Sequence, residues 1–510
     1  MSYRFILNVV AAISFVGAQA CSTPAPKADA PTPLAISDDI DAFVEAAIEE
    51  LGIVPGFSLA VYTPEGVYTR GFGVTDVNTG EPVTSDTAFY IASSTKSFTS
   101  LAMNTLHHRG EINLDATLNE FAPDASFSDA VLPGQVILRD LLTHTSGIEN
   151  FPISWRAAYS GEHTPQINWR LLSSSVVNEE APYGEFQYTN TGYNILTIMS
   201  DAKLGVNWQD LIAREIIEPA GMTRTTAYMS KAKNEGWSLA KPHFTGFKSG
   251  PVRVELEKTD ATMQSAGGMV MSANDSLLWL ELFINDGMVG GKQIIPADVV
   301  KETREPLAIV GGDYRDYKRD HYGLGWYIGP YNDDLLVHHF GGFAGFRAHV
   351  SYMPNRKIGV AAFINDDVAG HPFPDVVANF IYDRLAGRDD AWETAQQSLA
   401  QLVERRDRIF KGIAADRERR AAREWLLSLP KEAYAGTYIA SLYGTILVDV
   451  TDDDMRVSMG NLHTVAEPFT KPDTIRVELV PYSGDVLQFI VENGVAVAIM
   501  DRDGARYIRQ

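Results

Sequence analysis

A serine stands three residues before a lysine in the segment 90–99, where an extended apolar run gives way to a helix-forming run. Successive residues of an α-helix turn by about 100°, so Ser93 and Lys96 lie on one face, one turn apart. Ser94 lies about 200° from the lysine, which leaves Ser93 as the candidate nucleophile. A serine hydroxyl needs a neighbouring base, and a desolvated lysine with a lowered pKa can be that base. The segment therefore predicts a nucleophilic serine at the amino end of a helix.

Two further motifs follow this segment along the chain. The first is Tyr188-Thr189-Asn190 and the second is His339-Phe340-Gly341-Gly342. With the serine and lysine they resemble, in order, the S-x-x-K, Y-x-N and K-T-G motifs of penicillin-binding proteins and serine β-lactamases. The similarity is to the class C-like branch, which includes D-alanyl-D-alanine carboxypeptidases, D-aminopeptidases and esterases, and it covers residues 37–388. Four more phrases match that branch: Leu141-Leu142-Thr143-His144-Thr145-Ser146-Gly147, Ala266-Gly267-Gly268-Met269, Tyr322-Gly323-Leu324-Gly325-Trp326 and Gly345-Phe346.

The resemblance implies a catalytic role for the first two motifs. Ser93 attacks the scissile carbonyl, and Lys96 and Tyr188 share the removal and return of its proton; which of the two is the base stays open. Asn190 holds the lysine and the substrate backbone by hydrogen bonds. A tyrosine ordinarily has a pKa of about 10 and is a weak acid. This interpretation therefore expects Lys96 and His339, as nearby cations, to favour a phenolate or a readily ionised phenol.

The third motif is implied to complete the site. His339 stands where the family has lysine or histidine, and the backbone N–H groups of Ser93 and Gly342 are expected to form an oxyanion hole. Removing one donor from such a hole typically costs about 100- to 1000-fold in rate, so this pair matters as much as the proton relay. Phe340 and Gly341 are expected to border the substrate.

Phe340 departs from the family pattern. Many penicillin-recognising relatives have threonine there, whose hydroxyl helps to bind the substrate carboxylate, and a phenyl ring cannot donate that hydrogen bond. A site that lacks a polar partner for the carboxylate selects poorly for substrates that carry one. Carboxylate-bearing β-lactams and D-Ala-D-Ala termini therefore become less favoured substrates. Arg347, on the next strand, could restore carboxylate recognition, and its alternative role is a salt bridge to Asp or Glu.

The composition excludes several classes of function. The formal net charge of −22 opposes binding to nucleic acid, and the basic residues between 405 and 423 are interleaved with acidic ones, as on a solvated helix face. A single cysteine permits no internal disulfide and no cysteine-based zinc site. The three motifs call for no metal or organic cofactor, so we expect neither.

The amino terminus has the order of an export signal. A short basic start is followed by an apolar run from Phe5 to Val16 and then by Ala18-Gln19-Ala20-Cys21. We predict a signal peptide over 1–20 and a Pro- and Ala-rich tether over 21–36. Lipidation of Cys21 would attach the chain to the membrane of a bacterial cell envelope; the alternative is ordinary cleavage and a periplasmic protein.

The periodicity predicts an α/β (α+β) architecture. A helix over 37–52 and a hairpin built on 57–62 and 67–74 lead to the catalytic segment, and a mostly helical region follows over 113–285. Strands at 322–329, 335–339, 346–353 and 358–363 complete an antiparallel sheet, and a helix at 375–385 closes a hydrolase domain over 37–388. A helical linker over 389–430 then leads to a small antiparallel β-barrel over 431–510, which resembles a lipocalin-like domain. The aromatic residues between 151 and 170 belong either to a cleft wall or to a self-packed insertion.

These inferences predict a serine hydrolase that works through an acyl-enzyme on a peptide or other small-molecule substrate. Peptide or amide substrates, including those that contain D-amino acids, compete with esters, and β-lactams rank third. The rival from a different class is a non-catalytic cell-envelope binding protein that kept the fold.

Overall fold

The computed structural model describes residues 32–510. The predicted signal peptide, Cys21 and most of the predicted tether lie outside the described residues. Within 32–510, no helix combines the length and the apolar character that a membrane span requires.

A fully antiparallel eight-stranded sheet forms the centre of the first domain; the sequence predicted an antiparallel sheet but not its strands at Ala308–Tyr314 and Tyr317–Tyr322. The strands are β1 (Gly56–Tyr62), β2 (Val67–Gly73), β3 (Ala308–Tyr314), β4 (Tyr317–Tyr322), β5 (Tyr327–Tyr331), β6 (Asp334–Phe343), β7 (Phe346–Met353) and β8 (Ile358–Ile364). Their spatial order is β3-β4-β5-β6-β7-β8-β1-β2, so the hairpin at the start of the domain pairs with the last strand of the sheet. The two ends of the domain are thus joined in one sheet.

Helices cover both faces of this sheet. The outer face packs against α1 (Ser37–Leu51) and α5 (Phe373–Leu385), and α6 (Ala391–Ala421) packs on these two helices. The inner face packs against α2 (Thr95–His108) and α4 (Ala273–Ile284), whose Phe98 and Trp279 rings stack at 3.5 Å. A further helix, α3 (Thr191–Leu204), packs with α2 in a separate cluster on the inner side. The catalytic segment therefore starts a buried helix between two apolar cores.

The predicted helical region is interrupted by short strands. Its brief helices follow from local caps, such as the capping box between Thr117 and Glu120. They are Leu118–Phe121, Leu138–Leu142, Phe151–Trp155, Pro165–Leu171, Trp208–Ile212 and Met229–Asn234, and Ala297–Glu302 follows just beyond the region. The two- and three-stranded sheets pair Phe89–Tyr90 and Thr225–Thr226 with Val270–Met271, Ile148–Glu149 with Val176–Val177, His243–Phe244 with Val252–Arg253, and Met288–Val289 with Lys292–Gln293.

The strand predicted over 322–329 is wrong, because the chain turns inside it. One strand ends at Tyr322, and the next begins at Tyr327. Gly325 in the intervening turn has a φ of +82°, and a Cβ added to it would lie 2.8 Å from the carbonyl oxygen of Lys96. Only glycine combines that dihedral with so close an approach to α2. The turn therefore brings the hydroxyl of Tyr322 to the catalytic region.

The segment predicted as a helical linker is helical only to Ala421. Its first half packs against the hydrolase domain, because Ala395, Leu399 and Leu402 are buried in the same core as α1 and α5. Its second half is polar, with ion pairs such as Arg420–Asp416 at 2.8 Å. The first half of the helix is therefore fixed to the hydrolase domain. An irregular segment follows the helix and leads to the C-terminal domain.

The C-terminal domain is the predicted antiparallel barrel, nearly closed. Its strands are β9 (Gly436–Ala440), β10 (Gly444–Thr451), β11 (Asp454–Met459), β12 (Leu462–Val465), β13 (Glu467–Pro468), β14 (Thr474–Val480), β15 (Ser483–Glu492), β16 (Val495–Met500) and β17 (Arg506–Arg509). They lie in the order β12-β11-β10-β9-β17-β16-β15-β14-β13. A hydrogen bond of 3.4 Å from the Glu478 backbone N–H to Thr464 Oγ1 joins β14 to β12 across the gap.

The barrel docks on the hydrolase domain through aromatic contacts. The Tyr482 ring, between β14 and β15, stacks on Phe244 with centroids 3.8 Å apart. Trp155 donates its indole N–H to the sulfur of Met459 at 3.4 Å. Two aromatic residues of the hydrolase domain therefore contact two segments of the barrel, the β14–β15 loop and β11.

Candidate active site

Ser93 lies in one turn of 3₁₀ helix, Ala92–Ser94, which leads directly into α2. Its side chain is half-buried, whereas Ser94 is buried and donates its hydroxyl to the His339 carbonyl oxygen at 2.9 Å. Ala92 has a φ of +44°, in the left-handed region that is uncommon for a residue with a Cβ. The strained turn separates the two serines: Ser94 fastens the turn to β6, and Ser93 keeps its hydroxyl free of that contact.

Lys96 is fully buried on the first turn of α2. Its Nζ donates to Asn190 Oδ1 and to the Ala266 carbonyl oxygen, each at 2.7 Å. The amine also lies over the rings of Tyr188 and Tyr193, at 4.9 and 5.3 Å from their centroids. Burial lowers the pKa of Lys96 well below its ordinary value, and none of the described carboxylates counters this change. The structure therefore favours a neutral amine at this position.

Tyr188 does not become a phenolate, contrary to the sequence-based interpretation. Burial and then the neighbouring Tyr327 raise the pKa of Tyr188 above its ordinary value. Hydrogen bonding with Ser93 acts in the opposite direction, as does the Arg319 guanidinium, but neither reverses the increase. Lys96 and His339, the two expected cations, are themselves buried, and burial lowers the pKa of each. Neither therefore supplies the positive charge that would stabilise a phenolate. Tyr188 is therefore a protonated phenol in contact with the candidate nucleophile.

His339 is a neutral imidazole with an assigned tautomer. Its Nδ1 lies 2.9 Å from the carbonyl oxygen of Phe340 and must donate to it, so Nε2 accepts from the Tyr322 hydroxyl at 3.1 Å. Burial, followed by the charge of Lys96, lowers the pKa of His339 well below its ordinary value. The histidine thus adds no positive charge next to the lysine.

Gly341 lets strand β6 approach the serine turn. A Cβ added to Gly341 would lie 2.0 Å from the Ile91 carbonyl oxygen and 3.1 Å from the Ser93 backbone nitrogen. No side chain fits in that space, so the third motif requires glycine here. The close approach places the Gly341–Gly342 backbone beside that of Ser93, the second group of the expected oxyanion pair.

The expectation that the Phe340 side chain borders the substrate is wrong. Side chains alternate along β6, and Phe340 points to the outer face of the sheet, opposite His339. Its ring is 5% exposed and packs on His349 and Tyr317, with centroids 4.5 and 5.0 Å away. Only the main chain of Phe340 belongs to the site side. The absence of a threonine hydroxyl at position 340 therefore does not predict how the cleft binds a substrate carboxylate.

Arg347 takes the alternative role considered from the sequence. It is paired with Gly342 across β6 and β7 and lies on the outer face of the sheet. Its Nη2 donates to the Tyr314 hydroxyl at 2.8 Å and lies 3.9 Å from Asp375 Oδ2. The side chain is 12% exposed, and its Nη1 lies 3.6 Å from the position that a Cβ on Gly342 would take.

Four residues at the site carry roles that motif matching did not assign. Ala266 accepts from the lysine, Tyr322 donates to His339, and Tyr193 lies under the lysine. The fourth is His144, a buried residue whose ring lies 4.6 Å from that of Tyr188 and whose Nδ1 accepts from the Thr189 backbone N–H at 3.3 Å. All but Tyr193 occur in the family-like phrases of the sequence, which was the available signal.

The aromatic residues of the 151–170 segment fit the two alternatives only in part: Trp155 and Tyr159 pack on each other with ring centroids 5.1 Å apart, but each also has contacts outside the segment. Tyr159 stacks on Phe343 at the end of β6, with centroids 5.6 Å apart, and so reaches the edge of the site. Trp155 contacts the barrel, and Trp169 packs against the core that surrounds α3. One of the three thus belongs to the cleft.

Comparison with known proteins agrees with this geometry. A family model described as Beta-lactamase matches residues 44–377. Penicillin-binding protein 4* of Bacillus subtilis (strain 168) is 24% identical over 330 residues, which are 62% of this chain and 69% of the relative. Unguisins hydrolase ungD' of Aspergillus campestris is 23% identical over 333 residues, or 61% of this chain and 58% of the relative. The chain therefore spans less than two thirds of the length of that second relative.

Solved structures share the fold. The octameric penicillin-binding protein homologue from Pyrococcus abyssi has a TM-score of 0.59 at 23% identity, and the match covers 92% of this chain and 99% of that one. D-amino acid amidase from Ochrobactrum anthropi SV3, complexed with L-phenylalanine, gives 0.52 at 21% identity over 64% of this chain and 91% of that one. The matched family model spans all three motifs and well over half of the 510 residues. The chain therefore belongs to the Beta-lactamase family of serine hydrolases.

Proposed function

We propose that the protein hydrolyses peptide or amide bonds of small substrates through an acyl-enzyme on Ser93, with Lys96 as the base. One observation carries this assignment. A neutral amine has two N–H groups and one lone pair, and both N–H groups of Lys96 are used by Asn190 and Ala266. The lone pair remains for the serine proton. Burial, which lowers the lysine pKa, supports the same assignment.

In the first half-reaction, the Ser93 hydroxyl gives its proton to Lys96 as its oxygen bonds to the substrate carbonyl carbon. The backbone N–H groups of Ser93 and Gly342 receive the developing oxyanion. Tyr188 donates its phenolic proton to the leaving nitrogen as the C–N bond breaks, and the Lys96 ammonium returns a proton to Tyr188. In the second half-reaction, water attacks the ester carbonyl; its proton passes to Lys96 and then to the departing serine oxygen.

Amide and peptide substrates are supported by the relatives' names, which include a D-amino acid amidase, penicillin-binding proteins and an unguisin hydrolase. Ester hydrolysis uses the same steps with an easier leaving group, so esters are the second candidate. The proposal also places the protein in the bacterial cell envelope, anchored by a lipid on Cys21. A thiol in the position of an export-signal junction supports that location.

The test is covalent labelling of the full chain with a fluorophosphonate, followed by mass spectrometry of the labelled peptide. We expect one label, on Ser93, and none in Ser93→Ala. Ser94→Ala is the matched control, because Ser94 only fastens the turn to the His339 carbonyl; it should keep its label. A label on Ser94, or no label on the folded wild type, would contradict the proposal and favour a binding protein.

A further inference from the structure

A cavity of about 420 Å³ lies where the barrel meets the hydrolase domain. Gly342, one of the two expected oxyanion donors, forms part of its wall. The turn between β6 and β7 forms one side, and the loop between β14 and β15 of the barrel forms another. Four aromatic residues also line it: Tyr159, Phe244, Phe343 and Tyr482. A group held in this cavity would thus lie next to the reacting carbonyl.

Asp367 is the one carboxylate on the cavity wall. Among the described residues, no Lys, Arg or His nitrogen lies within 4.0 Å of its carboxylate oxygens, and its hydrogen bonds come from the backbone N–H groups of Gly345 and of Asp367 itself. The preceding Asp366 differs, because it accepts from the N–H groups of Val368 and Gly370 and from Thr245. Asp366 therefore holds the loop, whereas Asp367 has backbone hydrogen bonds but, among the described residues, no basic side chain that neutralises its carboxylate.

Two basic residues, Arg347 and His371, also line this cavity, and among the described residues neither pairs with Asp367. Arg347 bonds to Tyr314 and lies beside Asp375. His371 contacts Arg315, and burial, followed by the charge of that arginine, lowers the pKa of His371 to about 3, so it is neutral. Burial and the adjacent Asp366 raise the pKa of Asp367 to about 7. A secluded carboxylate of this kind is stabilised when a cation binds beside it.

We propose that Asp367 binds the protonated amine of substrates that carry a free amino group on the acyl side of the scissile bond. The inference rests on the proposed hydrolase function and names its substrate class: amino-acid amides and peptides cleaved next to an unblocked amino terminus. The aromatic walls suit an ammonium group, whose charge is attracted to ring faces. The barrel then has a function, because Tyr482 and its loop close the cavity around that amine.

The test compares two anilides that differ only in the amine, D-alanine 4-nitroanilide and propanoyl 4-nitroanilide, together with the L-alanine compound. We expect wild type to prefer at least one aminoacyl compound by tenfold or more in kcat/KM. Asp367→Asn keeps the shape of the side chain and should reduce that ratio by about tenfold to a hundredfold, the effect of one charge-assisted hydrogen bond. Asp333→Asn, which changes an exposed carboxylate, should leave the ratio unchanged.

A ratio that Asp367→Asn leaves unchanged would overturn the inference, as would equal kcat/KM values on all three anilides. A preference for succinyl 4-nitroanilide would also overturn it and assign the cavity to a carboxylate held by Arg347. If none of the three anilides is hydrolysed, the hydrolase proposal fails separately. Calorimetry of D- and L-alanine amide against propanamide on Ser93→Ala then still decides the amine site, because binding needs no turnover. Tighter binding of an aminoacyl amide that is lost in the Ser93→Ala, Asp367→Asn double variant supports it, and equal binding refutes it.

Discussion

The Tyr322 hydroxyl lies 3.1 Å from Nε2 of His339 and donates to it. This contact joins the turn between β4 and β5 to the third motif, and it fixes the histidine as a neutral acceptor. A protonated imidazole here would repel the Lys96 ammonium, and its Nε2 could no longer accept the hydrogen bond from the Tyr322 hydroxyl. The tyrosine therefore positions the histidine without touching the reacting atoms.

Tyr322→Phe should reduce kcat more than it raises KM, because the substrate does not contact this hydroxyl. The loss leaves Nε2 of His339 buried without a donor, which typically costs about 1–3 kcal/mol of folding stability. The control is Tyr352→Phe, on β7, whose ring packs on Phe283 and Trp326 and whose hydroxyl has no hydrogen-bond partner among the described residues. Urea unfolding and steady-state kinetics on a neutral ester measure both effects; an unchanged kcat in Tyr322→Phe would contradict the positioning role.

Catalysis should increase with pH through the titration of Lys96. Its pKa is lowered, so the free amine forms as pH rises through a value well below the ordinary lysine pKa of about 10.4, and activity is lost as pH falls through that value. A plot of kcat/KM against pH for a substrate that does not ionise reports this limb. Lys96→Arg should lose more than about a thousandfold, since a guanidinium stays protonated at every accessible pH. Activity that persists in Lys96→Arg would assign the base to Tyr188.

The sequence was sufficient for the order of the site and for the general fold. Ser93 and Lys96 share a helical face by geometry alone, and the alternating runs of 346–353 and 358–363 predict sheet strands. Ionisation states could not be predicted in the same way. The pattern placed Tyr188 near two basic side chains, but their charge depends on burial, which is set by the packing of α2, α3 and β4 around them.

Side-chain direction was the second limit. The third motif names Phe340, but whether its ring faces the cleft depends on the register of β6 in the sheet, and a shift of one residue would reverse it. Ala266 and Tyr322 likewise come from distant segments, and only the folded chain brings their oxygen atoms to Lys96 and His339.

Gly341→Ala should reduce kcat by about 100-fold or more while the chain still folds. The added methyl group would lie 2.0 Å from the Ile91 carbonyl oxygen, so β6 must move away from the turn that carries Ser93. Displacement of an oxyanion donor costs about 100-fold or more in kcat. Gly312→Ala is the matched control, since a Cβ there meets nothing within 4 Å. If the Gly341→Ala variant retains more than half of the wild-type kcat, the close approach is not needed for catalysis.

Phe340→Thr separates the sequence-based and structure-based interpretations of the third motif. Had the ring lined the cleft, the substitution would shift preference toward carboxylate-bearing substrates. Because the ring instead packs on His349 and Tyr317, the substitution should mainly create a cavity and destabilise the fold by about 3 kcal/mol. The ratio of kcat/KM values for matched substrates with and without a carboxylate should remain within about twofold of wild type.

Phe340→Leu provides the control, since it keeps an apolar side chain and should lose less stability than threonine, whose hydroxyl would be buried among aromatic rings. Chemical denaturation gives the free energy of unfolding of each variant, and the substrate ratio is measured at a temperature where both are folded. A tenfold rise in the ratio for Phe340→Thr, absent in Phe340→Leu, would show that a hydroxyl at this position reaches the substrate. The outward direction of the side chain on β6 would then not describe the protein during turnover.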